Sequence, residues 1–527
     1  MKRLVILLYL FLISFLALSQ AKIRRFPASI NNPSINVWAP FISLDGSTLL
    51  FTSDYADDGT LVYISERQTG DWKQPVELPK HLNTRLNFVK GYSLSPDGKI
   101  IYITSIKSGG VGGYDMWYSE LKGTSWSELT NLYAPLNSKS NEGCPTFTPD
   151  GNTVYFMRCE KMNMQSATNC KIFVATKKNT GQWNEPVELP DYINTGNSQT
   201  PRIMADGETL LFSSDNLSPK KGGMDLYVTK LKNGVWSSPL PLDVVNTEKD
   251  DQYVSVQFNG RYVLKEAPGK FNSEILEFLI PDELRPRGVM KVEGFVRDET
   301  GAATPAYISV INLFDNQRVF NGRPSSKDGS FLFYLLEGGA YELSIDHEQS
   351  AYTYYSKQYD LLGDADLRND KLNVVLKPLV AGDELALDAI TFKENSSELN
   401  DVSGELRRLS RLLKSAPQLN FEVQVLLSGY HEDSIQSDPD LTELVIDSTR
   451  ITLEALDTLG QMITRDSMVV KNTYHNDRTE KQANAIIDQL VALGVDRNNL
   501  SIFVNARPEE MPEKRRTTVR MVARRRK

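Results

Sequence analysis

Between residues 22 and 285 apolar and polar positions alternate in short runs broken by turn residues, the pattern of half-buried strands. The runs repeat. PFISLDGSTLLFTS, GYSLSPDGKIIYITS, PTFTPDGNTVYFMR and PRIMADGETLLFSS recur at a period of roughly 53 residues, and a weaker fifth copy, VSVQFNGRYVL, follows in step. Each copy holds a strand, a turn at Asp45-Gly46, Asp97-Gly98, Asp150-Gly151, Asp206-Gly207 or Asn259-Gly260, and a second strand. Asp-Gly and Asn-Gly suit tight hairpins because the turn requires a positive φ. A third strand follows in GGYDMWYS (112–119) and GGMDLYVT (222–229), and a fourth opens on Trp72, Trp126, Trp183 or Trp236. Four strands in about 53 residues predict a propeller blade. Five copies predict about five blades, with an irregular sixth built from the chain ends as the alternative. The links Leu82-Asn83-Thr84, Leu136-Asn137-Ser138, Ile193-Asn194-Thr195 and Val245-Asn246-Thr247 stand between blades as recurring loop stays. Aspartates and tryptophans repeated in every blade are assigned to architecture, not to catalysis or sugar binding.

The pattern changes after IPDELRPRG (280–288). VEGFVRDETGAATPAYISVIN and SSKDGSFLFYLLEGGAYELSI alternate without a helical period, which predicts a small antiparallel β-sandwich over 289–378 with a hairpin turn at Asp328-Gly329. From Leu385 the strand LALDAITF and the loop KENSSELN lead into a helix, GELRRLSRLLKSAP. Leu406, Leu409, Leu412 and Leu413 share one of its faces, and Pro417 stops it. The strand FEVQVLLSGYHED follows, so a separate α/β domain is expected over 384–527. Within it, about 435–474 is expected to form an inserted hairpin turning at Leu459-Gly460. DRTEKQANAIIDQLVALGV (477–495) is an amphipathic helix carrying Ala483, Ile486, Ile487, Leu490 and Leu493 on its apolar face and ending at Gly494.

Charge and special residues narrow the function. A net charge of −8 speaks against nucleic-acid binding by the whole chain, although the final KRRTTVRMVARRRK is basic; within it Arg524 to Lys527 are expected as a solvated tail. MKRLVILLYLFLISFLALSQ has a charged start, an apolar run of about 14 residues and small residues at Ala17 and Ser19, so residues 1–19 are expected to be a cleaved secretory signal. No cysteine follows that run to carry a lipid, and no later segment reaches the roughly 20 apolar residues of a membrane span. The mature chain is expected in the periplasm without a transmembrane segment. Cys159 and Cys170 bracket one short insertion, as a local disulfide or as two buried thiols, with Cys144 left free. His81, His347, His431 and His475 lack ligand spacing, and no G-x-S-x-G, phosphate loop or H-E-x-x-H is present; no metal, cofactor or enzymatic activity is expected.

The phrases SPDGKIIYITS and GGMDLY resemble the WD40-like repeats of TolB-related periplasmic propellers over 22–285. V-x-G-x-V-x-D-x-x-G, D-G-x-F and Y-x-L-x-I over 289–378 resemble the carboxypeptidase regulatory-like fold. Residues 384–527 resemble the OmpA-like peptidoglycan-binding domain: Ile390, Phe392, Ser397 and Leu399 match its first strand and loop, and Gly429 to Asp433 approximate its G-H-T-D. Thr479, Ala483, Ile486, Leu490, Gly494 and Val495 fall in register with its second helix, and RRTTVRM with its closing strand. The resemblance implies a peptidoglycan stem peptide as ligand. Gln482 stands where that family has the helix arginine that clasps the diaminopimelate carboxylate. Diaminopimelate carries an amino group and a carboxylate on one centre, so a receptor needs a carboxylate and a guanidinium close together. Arg478, one turn before Gln482, is the candidate guanidinium, and Glu432, Asp433 or Asp477 the candidate carboxylate. His431, Arg515 and Arg516 complete the expected peptidoglycan-binding set; Asp477 or Thr479 as a helix cap beside a solvated Arg478 is the structural alternative.

The order of propeller, sandwich and OmpA-like domain resembles Bacteroidota envelope proteins, notably the peptidoglycan-anchoring component of the type IX secretion and gliding machinery. The resemblance implies a noncatalytic periplasmic scaffold that ties an outer-membrane complex to peptidoglycan, its propeller docking protein partners. A propeller enzyme or glycan receptor tethered to the wall is the alternative.

Overall fold

The computed structural model describes residues 22–56, 59–68, 70–362, 369–393, 396–400, 403–428, 443–456, 462–475, 477–503 and 516–526; the expected signal and the Leu459-Gly460 turn lie outside them. The architecture is multidomain, all-β for most of its length with a smaller α/β region at the C-terminus. Two compact units divide it. The first holds the described residues up to Val292 with Phe333–Gly338, and the second the described residues of Glu293–Leu332, Gly339–Leu362 and from Lys371 onward.

Five antiparallel sheets make up the first unit, one for each sequence repeat. The first four blades start at the strands Val37–Ile42, Asn87–Leu94, Asn141–Phe147 and Ser198–Ile203, and run outward in chain order. The fifth is composite. Ser255–Val256, Tyr262–Pro268 and Ser273–Leu279 take their outer partner from the other end of the chain, Ile23–Arg25, with Ile23 opposite Phe278 and Arg25 opposite Leu276. The chain ends thus complete a fifth blade and do not build a sixth.

The turns explain the repeated Asp-Gly. Gly46, Gly98, Gly151, Gly207 and Gly260 all have φ between 65° and 70°, the left-handed region that a Cβ disfavours. Gly46 N–H donates to the Ser43 carbonyl at 2.9 Å, so each turn is a type I turn followed by one left-handed glycine. The aspartate holds the turn from inside: Asp45 Oδ1 accepts from Ser43 Oγ at 2.7 Å and from Ser47 N–H at 3.0 Å, and Asp97 and Asp150 accept from Ser95 and Thr148 in the same way. Asp115 and Asp225, fully buried, accept from the backbone N–H groups of the preceding glycine loops.

The loop stays are asparagine clips. Asn83 accepts from Val62 N–H and donates to Val62 O, both at 3.0 Å. Asn137 does the same at Met116, Asn194 at Ile172 and Asn246 at Leu226, all between 2.8 and 3.0 Å. A fifth, beyond the four links expected, is Asn31: it accepts from Ile275 N–H and donates to Ile275 O at 2.9 Å, joining the N-terminal segment to the last blade. A primary amide presents the donor and acceptor of a peptide group, so each clip supplies the pairing that a neighbouring strand would give. Cys159 and Cys170 sit opposite each other in the third blade and form a disulfide, with Cys144 buried and free.

Residues 289–378 supply two further sheets. One is ordered Ser330–Leu336, Val289–Arg297, Asp370–Val375, and the other Arg318–Gly322, Ala306–Asn312, Ala340–His347, Tyr354–Asp360. Gly329 forms the expected turn with φ +77°, and a Cβ there would meet the Val296 carbonyl oxygen at 2.2 Å. In the C-terminal region a sheet ordered Glu384–Ala386, Arg516–Arg525, Leu419–Ser428, Leu500–Phe503 packs beneath helices α1 (Ser403–Ser415) and α2 (Asp477–Ala492). Leu406, Leu409, Leu412 and Leu413 of α1 meet Ala483, Ile486, Ile487 and Leu490 of α2 over Phe421, Val423 and Met521. Gly494, φ +85°, ends α2 in a Schellman motif, with Gly494 N–H on Val491 O at 2.8 Å and Val495 N–H on Leu490 O at 3.0 Å. The first strand is shorter than LALDAITF suggests: only Glu384–Ala386 joins the ladder, because Ile390 N–H turns back onto Leu387 O at 2.9 Å. Glu443–Leu456 and Met462–His475 pair as a long antiparallel ribbon.

Sandwich and α/β region share the second unit through a buried charge cluster. The Arg408 side chain of α1, 8% exposed, pairs with Glu342 of the sandwich and, at 3.0 Å, with Glu405. Glu405 in turn accepts from Tyr354 Oη at 2.7 Å and Ser356 Oγ at 3.0 Å. Burial alone would lower the Arg408 pKa, but Glu405 and Glu342 outweigh it and raise it; burial and then Glu405 push the Tyr354 phenol up.

Two outcomes follow. Asn194→Ala leaves the buried Ile172 N–H unpaired, the Ile172 carbonyl keeping the Leu189 N–H at 2.9 Å, and is expected to cost about 1–3 kcal/mol in urea unfolding of the propeller, against less than about 1 kcal/mol for the exposed Asn152→Ala. Arg408→Ala strands two buried carboxylates and is expected to destabilise the second unit by about 3–5 kcal/mol, read as faster hydrogen exchange throughout α1.

Candidate functional site

Helix α2 follows from an apolar stripe at 483, 486, 487 and 490, which turns its remaining face away from the sheet. Its direction is fixed by its far end. The Leu493 carbonyl accepts from Lys414 Nζ, in the last turn of α1 and a few residues before the strand Leu419–Ser428 begins, and, at 3.4 Å, from Ser410 Oγ one turn earlier. The C-terminus of α2 therefore lies at the start of that strand and its N-terminus at the Ser428 end. The lysine at the C-terminus also opposes the helix dipole.

Ser428 pairs with Arg516, so the two central strands open towards this same end. The loop after the first strand arrives there too: Phe392 bridges Leu399, and the Ser396 carbonyl accepts from Gln482 Nε2 at 3.1 Å. Three chain segments, none adjacent in sequence, thus converge around the first turns of α2. Free N–H groups at a helix start carry partial positive charge and favour a carboxylate.

The expected binding residues fall as follows. Gln482 is buried, 4% exposed; its amide nitrogen holds the Ser396 loop and its Oε1 has no donor among the described residues. An amide brings no net charge, so Gln482 positions the loop and cannot supply the cation of an ion pair. Arg478 is half-buried one turn earlier, and Thr479 beside it is buried. Asp477 is the first residue of α2 and Arg516 the first of the closing strand. His431, Glu432, Asp433 and Arg515 lie outside the described residues.

In the basic tail Arg524 to Arg526 are exposed, as expected of solvated residues, and they also take partners. Arg524 pairs with Glu422 at 2.8 Å, Arg520 with Glu384 at 3.3 Å, and Arg526 donates to Pro417 O at 3.0 Å. The closing strand runs to Arg525 in the centre of the sheet, which gives these side chains cross-strand partners. Hydrogen bonding to Arg524 holds the Glu422 carboxyl below the usual range. Among the described residues no three His, Cys, Asp or Glu side chains cluster as a metal site, and no helix is long and apolar enough to cross a membrane.

No protein-family model matches the chain, and no curated protein matches it. Solved structures do. TolB from Acinetobacter baumannii is similar over 47% of this chain and 54% of its own, at 15% identity and a TM-score of 0.31; the match thus spans about half of that protein. The α-L-arabinofuranosidase PaAbf62A from Podospora anserina is similar over 47% of this chain and 91% of its own, at 10% identity and TM-score 0.31. Oligogalacturonate lyase from Vibrio parahaemolyticus is similar over 51% and 96%, at 12% and 0.29. None of these activities transfers to the chain.

Proposed function

We propose that this protein is a noncatalytic periplasmic scaffold whose C-terminal α/β region holds peptidoglycan stem peptides while its propeller docks protein partners of an outer-membrane complex, of the type IX secretion or gliding kind. One observation carries the reading: the Ser396 loop, the first turns of α2 and the opening end of the strands meeting at Ser428 and Arg516 all converge. That end combines a helix start with Arg478 on its first turn; the acidic pair Glu432 and Asp433 follows Ser428 in sequence and lies outside the described residues. A zwitterionic centre needs such a set. In this reading Arg478 with the helix N–H groups takes the diaminopimelate carboxylate, Asp433 or Glu432 takes the ammonium, and Gln482 keeps the Ser396 lip in place.

Protein docking suits the propeller because its clips and buried aspartates are engaged with backbone and do not form a ligand site. One rim groove is lined by Ile106, Tyr114, Met162 and Met164, of which Ile106 and Met164 are exposed. Apolar side chains gathered in an exposed groove are a usual feature of protein-binding surfaces.

Sedimentation of the full chain with purified sacculi tests the tether. The wild type is expected to pellet, and Arg478→Ala and Asp433→Ala each to weaken binding by about tenfold, the loss of about 1.4 kcal/mol. Equal pelleting of all three proteins would remove the site, and turnover of a glycan by the wild type would remove the noncatalytic reading.

A further inference from the structure

The propeller axis holds a charge that the rest of the fold does not explain. The position four residues before each turn Asp or Asn carries Phe41, Ser93, Thr146, Arg202 and Ser255 in the five blades. Four of the innermost strands shift register just before or beside it, between Trp38 and Phe41, Asn87 and Tyr92, Gly143 and Thr146, and Gln199 and Arg202. Ala39, Cys144 and Thr200 take φ of 47° to 52° within these shifts. Such bulges re-aim side chains. Residues from all five blades surround a cavity of about 30 Å³, among them Phe41, Ser95, Thr146, Arg202 and Ser255.

Arg202 is 4% exposed. Its Nη1 donates to the Pro201 carbonyl at 3.0 Å, its guanidinium lies 5.2 Å from the Phe41 ring centre, and its Nε has no acceptor among the described residues. No carboxylate among the described residues pairs with it. Burial lowers its pKa, yet an arginine does not give up its proton in a protein. The groups whose charge it feels are neutral: burial pushes the Cys144 thiol up to about 11, and burial raises the Tyr92 and Tyr253 phenols. A single cation–π contact is worth far less than the removal of a cation from water. Buried charges are paired, so this one requires an anion.

Uncommitted donors stand in the same cavity. Ser255 Oγ accepts from Ile42 N–H at 3.1 Å, and its own proton has no acceptor among the described residues; the Thr146 hydroxyl has no partner there either. A space of about 30 Å³ admits a body the size of a water molecule or a halide ion.

We propose that the propeller axis is a halide site, occupied by chloride in the periplasm, in which the Arg202 guanidinium and the Ser255 and Thr146 hydroxyls hold one ion and tie the third, fourth and fifth blades together. The ion compensates Arg202 and makes chloride a structural ligand of the propeller.

Bromide locates the ion directly. Crystals of the full chain grown in sodium bromide are expected to show an anomalous peak beside Arg202, and thermal unfolding of the propeller is expected to shift upward with chloride or bromide but not gluconate at equal ionic strength. Thr146→Val and Ser255→Ala are expected to raise the halide concentration at half-effect by about tenfold. Arg202→Met is expected to abolish the response; should it not fold, the two hydroxyl variants and the bromide peak decide. A cavity filled by water alone, without a bromide peak, or a chloride response unchanged in Thr146→Val and Ser255→Ala, overturns the proposal.

Discussion

One constraint governs the first unit: each blade has a strand residue whose backbone N–H meets no further strand, and that N–H must be paired. An asparagine amide meets the need in every blade, at Val62, Met116, Ile172, Leu226 and Ile275. The last of these asparagines, Asn31, comes from the opposite end of the chain, next to the strand Ile23–Arg25 that completes the fifth blade. Ring closure is therefore local chemistry repeated four times and a long-range contact made once. The clips use side chains that might otherwise be mistaken for binding groups, as the turn aspartates do.

Much of this was legible in sequence because repetition amplifies weak signals. Asp45, Asp97, Asp150 and Asp206 mark the turns, and Asn83, Asn137, Asn194 and Asn246 mark the clips, since each set recurs at a spacing of 52 to 57 residues. Asn31 was within reach: Pro27–Asn31 has the same Pro-x-x-Ile/Leu-Asn form as Pro79–Asn83 and Pro190–Asn194, about one period before the first of them. Ile23–Arg25 escaped because a three-residue strand has no periodicity to detect. Arg202 escaped for the opposite reason. It sits inside a repeat, PRIMADG, whose other copies are apolar or small at that offset, and a comparison position by position would have exposed it.

The C-terminal region was less readable. The helices announced themselves through Leu406, Leu409, Leu412 and Ile486, Leu490, and Gly494 through its capping geometry. The partners of Arg524 and Arg526 did not, because an exposed arginine's contacts depend on which strand lies beside it, and Glu422 is more than a hundred residues away in sequence. Gln482 was read as a departure from a binding motif; buried, it holds the Ser396 loop against α2. The Arg408 cluster likewise depends on two sheets and a helix that no local pattern brings together. Its effect is to join sandwich and α/β region through buried ionic contacts and not through a linker alone.

The central claim is that a zwitterionic wall peptide is gripped where α2 begins. Hydrogen–deuterium exchange of the full chain, with and without a soluble muropeptide containing diaminopimelate, tests it most directly. The account predicts slower exchange in the first turns of α2, from Arg478 to Gln482, and around Ser396. Protection confined to the propeller, or none at all, would contradict it.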